Sequence, residues 1–482
     1  MSLRKTALLT ALCGLLGSPL AWAAPDVNPI GARISALFSE WASPESPGAA
    51  VAVTRGGSVL YEGAFGTANL EYGVPIISET VFHVASVSKQ FTAFAILLLE
   101  QKGELGLDDD IRRYLPEIHD FGETITIRHL VHHLSGLRDQ WVLWELSGYR
   151  LDDVITSRNI LRLIERQREL NFSPGEEISY SNTGYTLLAE IVARVTGRSF
   201  AEFMQESVFR PLGMKATHFH EDHQHIVKNR AYPYVLQDDT RLAKGVLSYA
   251  LTGNTSLLTT ISDMERWIRN FSTGEVGGEA VVEKMLETGL LNSGEDSTYA
   301  FGLGVTDFRG LRYALHSGYD AGYTSYLGYF PDQDLGIVIL SNYAGVDGMS
   351  LGRQVAEIVL AEHLEDEVSS EHETDPEPDA ATEDRVFRVE RPLSDYVGAY
   401  YSPELRTVYE IEIREGSLVA VHSRKRDVPF SPISDDAFEG DQWWFWKADF
   451  SRDEDGRVDE LLVSTSSVRK ARFTRLESHQ LR

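Results

Sequence analysis

The chain has 482 residues, of which 43% are hydrophobic and 10% aromatic, so it is long enough for two or three packed domains. Its formal net charge of −27 argues against nucleic acid and against anionic membrane surfaces as partners. The single cysteine, Cys13, lies in the N-terminal segment, so we expect no disulfide bond in the mature protein.

The first 23 residues have the features of a secretory signal peptide. Arg4 and Lys5 give a positive start, residues 7–16 form a short apolar core, and residues 21–23 (Ala-Trp-Ala) resemble a cleavage site. The apolar run is too short to span a membrane. The sequence therefore predicts a periplasmic or secreted protein, cleaved near Ala23, with no stable membrane span in the mature chain.

Apolar spacing and turn residues predict a first domain over residues 24–364. Its expected elements, in chain order, are a helix over 29–41, a hairpin over 48–66, a buried helix opening at Ser86, a helix over 125–134, a long helix over 152–170, a helix over 185–195, a helix over 263–271, two or three strands over 313–341 and a closing helix over 349–364.

A composition change separates this domain from the C-terminal part of the chain. Residues 365–384 carry ten acidic residues and no lysine or arginine, so residues 365–390 are predicted to be a solvated linker. Residues 391–482 alternate short strands with tight turns such as Glu415-Gly416. That pattern is typical of a small antiparallel β-barrel.

The first chemical motif is Ser86-x-x-Lys89, which leads into an apolar run. Residues three apart share one face of a helix, so the two side chains are expected to be neighbours. A serine hydroxyl is a weak nucleophile until a base takes its proton, and a lysine in a dry site can do so because desolvation lowers its pKa. The helix N-terminus adds a free backbone N–H for an oxyanion. The spacing recurs twice elsewhere in the chain, so the motif alone is not specific.

The second motif is Tyr180-Ser181-Asn182. A tyrosine beside a lysine can share its proton and act as base or relay, and an asparagine offers a donor and an acceptor to a substrate amide and to the lysine. The structural alternative is a plain turn in which Asn182 caps the following helix.

The third motif is His316-Ser317-Gly318, at a position where a strand would run along a cleft. The glycine lets a substrate backbone lie close to the strand. The backbone N–H of Tyr319 is then a candidate for the second oxyanion donor, beside that of Ser86. The structural alternative is a strand with a glycine kink.

In this order the three motifs resemble those of the serine hydrolases related to class C beta-lactamases, D-alanyl-D-alanine carboxypeptidases, D-aminopeptidases and certain esterases. The resemblance spans roughly residues 30–364. It implies an α/β fold that is beta-lactamase-like, with an antiparallel sheet flanked by helices, a helical lobe, and a cleft between them. The C-terminal barrel resembles the lipocalin-like module that is often attached to such hydrolases and can restrict the cleft.

The resemblance also implies roles for individual residues. Ser86 would be the nucleophile, Lys89 its activating partner, Tyr180 the base or proton relay, Asn182 a contact to substrate and lysine, and His316 the end of the polar network. Gln140 falls where related enzymes often place a substrate-contacting glutamine. Whether Lys89 or Tyr180 is the formal base stays open, since the pair titrates as a unit.

Two departures from the family pattern bear on the substrate. His316 stands where classical beta-lactamases have lysine, and a mostly neutral imidazole attracts a substrate carboxylate less well than an ammonium. Tyr180-Ser181-Asn182 replaces the Ser-x-Asn of class A enzymes, and no matching glutamate is evident. The first departure favours peptide or ester substrates over beta-lactams, and the second favours the class C-like group.

Two further clusters have alternative interpretations. Residues 443–446 (Trp-Trp-Phe-Trp) are either a ligand-binding run or, as we expect, barrel core in which alternate residues face inward. Histidines at 218, 220, 223 and 225, and at 129, 132 and 133, raise the alternative of a zinc site. We expect no metal and no cofactor.

The sequence as a whole predicts a serine hydrolase that forms an acyl-enzyme on small amides or esters, with D-amino-acid-containing peptides as the favoured substrates. The alternatives are a beta-lactamase or carboxylesterase, and a penicillin-recognising module without turnover. The expected partner is a small-molecule or peptide substrate, and the oligomeric state is left open.

Overall fold

The computed structural model describes residues 29–365, apart from residue 239, and residues 390–477. The predicted signal peptide at 1–23 lies outside the described residues. So does the predicted linker, except for its two end residues. Within the described ranges, no helix is both long and apolar enough to cross a membrane.

Ten α-helices lie within residues 29–365 of the described structure. They are α1 (Pro29–Leu37), α2 (Ser88–Gln101), α3 (Ile127–Val131), α4 (Gln140–Leu146), α5 (Ser157–Ile164), α6 (Asn182–Thr196), α7 (Phe200–Met204), α8 (Ile261–Thr273), α9 (Glu279–Lys284) and α10 (Gly348–Leu360).

Fifteen strands lie in the same described part of the chain. They are β1 (Ala49–Arg55), β2 (Ser58–Phe65), β3 (Thr67–Asn69), β4 (Val74–Pro75), β5 (Phe82–His83), β6 (Ile155–Thr156), β7 (His218–Phe219), β8 (Tyr234–Gln237), β9 (Arg241–Lys244), β10 (Tyr249–Ala250), β11 (Leu257–Thr259), β12 (Gly304–Phe308), β13 (Leu311–Asp320), β14 (Tyr323–Phe330) and β15 (Leu335–Ser341). Six of them form one antiparallel sheet in the order β12-β13-β14-β15-β1-β2.

The sheet is covered on both faces because its central strands are apolar throughout. Successive residues of a strand face opposite sides, so Val51 and Val53 pack with α1 and α10 while Ala50 and Ala52 pack with the helices of the other face. Small residues on that second face allow α8 to pack close to the sheet. At Gly336, for example, an added Cβ would lie only 2.3 Å from Ile268 Cγ2, so a larger residue would push the helix away. The sheet is therefore a rigid wall for the cleft described below.

The predicted hairpin over 48–66 and the three strands over 313–341 are confirmed. The hairpin turns at Gly56-Gly57, whose φ angles of 58° and 70° suit the two-residue turn between paired strands.

The long helix predicted over 152–170 is wrong. Only α5 forms there, because the Thr156 side chain accepts the backbone N–H of Asn159 and starts the helix at Ser157. After Ile164 the chain leaves the helix. The side chain of Gln167 then hydrogen-bonds the backbone N–H and carbonyl of Arg138 at 3.2 and 3.4 Å. A local cap therefore sets the start of the helix, and a tertiary contact holds the chain after its end.

The C-terminal part forms a closed eight-stranded antiparallel barrel, as the alternation of strands and turns predicts. Its strands are β16 (Gly398–Ser402), β17 (Thr407–Arg414), β18 (Ser417–Val421), β19 (Val428–Ser434), β20 (Ala437–Gln442), β21 (Phe445–Arg452), β22 (Val458–Ser464) and β23 (Ala471–Arg475).

The aromatic run of the barrel corrects one expectation. Trp444 and Phe445 are buried, but Trp443 and Trp446 are 54% and 52% exposed. Residues 443 and 444 lie in the turn between β20 and β21, so the inward and outward alternation of a strand does not apply to them. Two of the four residues face inward, as the prediction of an alternating core requires, but the buried pair is consecutive and not alternate.

Candidate active site

Ser86 lies in a 3₁₀ turn, Ala85–Val87, immediately before α2. The α-helix therefore begins two residues later than predicted. Ala85 has a φ of 46°, a conformation that costs a non-glycine residue about 1–3 kcal/mol and persists only where the surroundings enforce it. The carbonyl of Val84 is held by the Ser325 hydroxyl at 2.7 Å, which fixes the turn against the sheet.

Lys89 lies one turn further along and is completely buried. Its Nζ donates to Ser86 Oγ at 3.0 Å, to Asn182 Oδ1 at 2.9 Å and to the Asn254 carbonyl at 2.9 Å. Burial lowers the pKa of Lys89 to about 7, although the negative charges of Asp139 and Asp320 oppose the shift. A substantial fraction of this lysine is therefore neutral near pH 7.

Tyr180 faces the same serine. Its side chain is 40% exposed to the cleft, yet its hydroxyl lies deep among protein groups and hydrogen-bonds Ser86. Burial raises the pKa of Tyr180 well above its ordinary value, and the hydrogen bond from Ser86 offsets only part of that shift. Tyr180 therefore keeps its proton at neutral pH.

Asn182 is the first residue of α6 and does not cap that helix, because Ser181 occupies the N-cap position. The Asp139 carboxylate accepts both the backbone N–H of Asn182 at 2.7 Å and its Nδ2 at 2.9 Å. Since those bonds orient the amide, Asn182 Oδ1 faces Lys89. The sequence analysis missed Asp139. The sequence signal that could have found it is an aspartate immediately before a helix. Asp139 caps α4 by accepting the Trp141 N–H at 2.8 Å.

His316 lies on β13 and is buried. Its Nδ1 is 2.6 Å from the Ser317 carbonyl, so Nδ1 carries the proton, and Nε2 accepts from the Tyr299 hydroxyl at 3.0 Å. Burial, with a smaller effect from Lys89, lowers the pKa of His316 to about 3. The imidazole is therefore neutral at any ordinary pH. Tyr299 was not predicted, since it lies on an irregular segment far from the motif in sequence.

The edge of β13 beside Ser86 is open. Strand β12 pairs with β13 only as far as Leu315, and the 3₁₀ turn packs beside the strand beyond that point. A Cβ on Gly318 would lie 2.5 Å from the Val84 carbonyl oxygen, so only glycine allows this approach. Ser317 and Tyr319 are exposed on the same strand, and Tyr319 lines the cleft.

Gln140, a predicted substrate contact, does not line the cleft. It is the first residue of α4, it is fully buried, and its side-chain amide has no hydrogen-bond partner among the described residues. Its neighbours Asp139 and Trp141 line the cleft instead.

The cleft has a volume of about 1060 Å³ and is closed on one side by the barrel. Ser86, Tyr180 and Asn182 line it from the first domain. The barrel contributes Arg424, Lys425, Arg426, Gln442, Trp443, Trp444, Ser466 and Ser467.

The barrel is attached close to the buried network. Lys425 forms a buried ion pair with Glu145 and donates to the Tyr149 carbonyl at 2.7 Å. The Ser467 carbonyl accepts the backbone N–H of Asp139 at 3.1 Å. A barrel loop therefore contacts the residue that orients Asn182.

The histidine clusters have structural roles or lack metal geometry. No group of three or more His, Cys, Asp or Glu side chains that could hold a metal occurs within the described residues. His129 accepts the Thr126 N–H, and His133 accepts the Ser181 N–H at 3.1 Å. His132 Nδ1 bonds the Tyr299 carbonyl at 2.8 Å. The rings of His218, His220 and His225 lie about 6 Å apart. The zinc alternative has no support in this part of the chain.

Ser86 is hydrogen-bonded to a buried lysine in a cleft between an antiparallel sheet and a helical lobe. This arrangement defines the class of serine hydrolases built on the beta-lactamase fold. The family model described as Beta-lactamase matches residues 36–360. That is more than half of the chain, and the chain therefore belongs to the beta-lactamase family.

The chain is also similar to individual proteins. It is 30% identical over 318 residues to a D-aminopeptidase of Gluconobacter oxydans, a match that covers 65% of this chain and 58% of that protein. It is 31% identical over 325 residues to penicillin-binding protein 4* of Bacillus subtilis, covering 64% of this chain and 71% of that protein. The octameric penicillin-binding protein homologue of Pyrococcus abyssi has a similar fold, with a TM-score of 0.62 and 23% identity, covering 93% of this chain and 99% of that one.

Proposed function

We propose that this protein hydrolyses small amides or esters through an acyl-enzyme on Ser86, with D-amino-acid-containing peptides as the favoured substrates. The observation that carries the proposal is the 3.0 Å hydrogen bond between Ser86 Oγ and the fully buried Nζ of Lys89, whose pKa burial lowers to about 7. One relative is named a D-aminopeptidase, and this name supports D-amino-acid-containing peptides as the favoured substrates.

In the proposed reaction, neutral Lys89 takes the proton of Ser86 as Oγ attacks the substrate carbonyl carbon. The backbone N–H groups of Ser86 and Tyr319 hold the oxyanion. Tyr180, which keeps its proton at neutral pH, passes that proton to the leaving nitrogen or oxygen as the bond between this atom and the carbonyl carbon breaks, and Lys89 hands the Ser86 proton on to Tyr180. A water then attacks the ester on Ser86 and gives one proton to the Lys89–Tyr180 pair. The pair returns a proton to Ser86 Oγ as the ester bond breaks and the acid product leaves.

Asn182 and His316 have different tasks in this proposal. Asn182 keeps Nζ of Lys89 directed at Ser86 and presents its Nδ2 side to Asp139. His316 is a neutral hydrogen-bonding group, since burial lowers its pKa to about 3. It therefore offers no cation to a substrate carboxylate, which favours peptides and esters over beta-lactams.

We propose further that the protein is periplasmic or secreted, with a signal peptide over residues 1–23. The hydrolase domain would span 24–364, and the barrel, over 391–482, would be lipocalin-like. Intact-mass measurement of the exported protein tests the first point, and a retained N-terminal segment of 23 residues would contradict it.

The test of the proposed activity is hydrolysis of a p-nitrophenyl ester, a D-alanyl p-nitroanilide and a chromogenic cephalosporin by the wild type and by Ser86→Ala. We expect turnover of the first two and loss of roughly 10³-fold or more in the variant. Ser88→Ala is the matched control, because Ser88 is a buried neighbour whose Oγ accepts the Leu257 N–H instead of facing Lys89. Hydrolysis that survives Ser86→Ala would contradict the proposal, and an adduct without turnover would indicate a penicillin-recognising module.

A further inference from the structure

Asp320 is the last residue of β13 and lines the same cleft as Ser86. Its side chain is 15% exposed. Oδ2 accepts from Thr255 Oγ1 at 3.1 Å and lies 3.2 Å from Nε2 of His83, which is charged only when protonated. The hydroxyl of Tyr249 also hydrogen-bonds this carboxylate. Within the described ranges no lysine or arginine forms an ion pair with Asp320. This carboxylate therefore lies largely out of water without a permanent cation.

Two of the other three acidic side chains that line the cleft have a cationic partner. Glu145 is paired with Lys425, and Asp152 with Arg150. Asp139 forms no ion pair with a lysine or arginine among the described residues. Its carboxylate accepts hydrogen bonds from the side-chain amide and backbone N–H of Asn182 and from the Trp141 N–H at the start of α4. A partly buried anion is costly unless it is paired, so Asp320, whose partners among the described residues are two hydroxyls and a histidine, gains from a cationic ligand.

The strand geometry places Asp320 at a useful distance from the nucleophile. Residues two apart on a strand face the same side, so Asp320 shares the face of Gly318, which contacts the turn that carries Ser86. Two residues of strand correspond to about 6.8 Å. One extended amino-acid residue of about 3.5 Å, followed by a hydrogen bond of about 2.9 Å, spans nearly the same length.

We infer that Asp320 binds an ammonium group on the acyl half of the substrate, so that this hydrolase selects acyl groups that carry a free amine. The inference rests on the proposed Ser86 acyl-enzyme. Two sources share this chemistry, namely the α-amine of an N-terminal residue and a side-chain amine. We place the acyl group of the substrate beside Asp320, because Asp320 lines the large cleft. His316 and Ser317, earlier on the same strand, line a separate shallow depression.

The test compares kcat/KM for D-alanyl, Nα-acetyl-D-alanyl and Nα-acetyl-D-lysyl p-nitroanilide, with p-nitrophenyl acetate as an uncharged reference. We expect the wild type to prefer the D-alanyl over the Nα-acetyl-D-alanyl substrate by at least about tenfold, which is the effect of one modest charge interaction. Recovery of activity with the lysyl substrate would show that the site also accepts a side-chain amine. Activity with the D-alanyl substrate alone would assign it to an α-amine.

The variant Asp320→Asn keeps an acceptor for Thr255 and removes the charge. We expect its preference for the amine to fall to about one. Hydrolysis of p-nitrophenyl acetate at pH 9, where Lys89 is neutral in both proteins, should stay within about threefold of wild type. Asp152→Asn is the matched control, since Asp152 lines the same cleft but is already paired, and it is expected to retain the preference. A preference lost in Asp152→Asn and kept in Asp320→Asn would overturn the assignment.

A second measurement needs no variant. D-alaninol should inhibit p-nitrophenyl acetate hydrolysis competitively, and N-acetyl-D-alaninol should do so at least about tenfold more weakly. Three results would each overturn the inference. The first is equal inhibition by the two compounds, and the second is equal wild-type rates for the D-alanyl and Nα-acetyl-D-alanyl substrates. The third is a parallel loss of D-alanyl p-nitroanilide and p-nitrophenyl acetate hydrolysis in Asp320→Asn. The absence of Ser86-dependent acetate hydrolysis would instead refute the proposed function, so the two failures are distinguishable.

Discussion

The two walls of the cleft hold their side chains in different ways. On the wall formed by the first domain, Lys89 and Asn182 are locked by hydrogen bonds of 2.7–3.0 Å, and Lys89 is fully buried. On the barrel wall, Trp443 is 54% exposed, and Arg426 is exposed without a hydrogen bond or ion pair among the described residues. The difference indicates that the wall of the first domain is preorganised for catalysis. The barrel wall is adaptable and suited to determining substrate specificity.

The largest contrast is expected between two buried lysines, one on each wall. Lys89→Met should reduce kcat for a p-nitrophenyl ester by roughly 10³-fold or more, because the serine loses its base. Lys425→Met should change kcat by less than about tenfold, since Lys425 holds the barrel to Glu145 and does not touch Ser86. Steady-state kinetics with a thermal-melting control measures both. Similar losses of kcat in the two folded variants would contradict the separation of roles.

A second contrast concerns the carboxylate behind Asn182. Asp139→Asn should reduce kcat by about 10–100-fold, because an amide opposite the Asn182 amide no longer fixes its orientation toward Lys89. The acid limb of the pH profile should also move to lower pH, since the negative charge of Asp139 raises the pKa of Lys89. Asp153→Asn, at the barrel contact with Arg424, is the control and should leave both quantities unchanged. An unshifted acid limb in Asp139→Asn would count against this arrangement.

The pH dependence of the wild type tests the first wall without a substitution. The neutral form of Lys89 is the active one, so kcat/KM for an uncharged ester should rise with pH and reach half its maximum near pH 7. His316 should not contribute above pH 5, because burial lowers its pKa to about 3. Stopped assays across pH 5–9 measure the profile. A midpoint below pH 5, or a flat profile, would be incompatible with a lysine base.

The smallest effect is expected on the barrel wall. Trp443→Ala should raise KM for an ester with an aromatic acyl group by about 3–10-fold and leave kcat for the acetyl ester unchanged, because it removes contact area and no hydrogen bond of the Ser86 network. Trp446→Ala is the matched control, as Trp446 is similarly exposed but bonds Glu439 away from the cleft. Equal changes in the two variants would mean that the barrel wall does not select substrates.

The sequence allowed prediction of those parts of the molecule that depend on local spacing. Ser86 and Lys89 are three residues apart, and the continuous apolar run of β15 is visible directly. Asp139, Tyr299 and Asn254 were not predicted, because their contacts with the motif residues come from loops that are distant in sequence. Tertiary hydrogen bonds of Gln167 to Arg138 also hold the chain outside the helix after α5 ends. The position of Trp443 on the cleft depends on how the barrel docks, which no local pattern encodes.

The most direct test of the central claim is a titration of Lys89 itself. In protein carrying ¹³C at the lysine Cε positions, NMR follows each lysine with pH, and the Lys89→Met spectrum assigns the resonance. The account predicts a midpoint of about 7, because Nζ lies in a fully buried site. A midpoint at the ordinary lysine value of about 10.4 would leave Lys89 charged at neutral pH and would contradict its role as the base for Ser86.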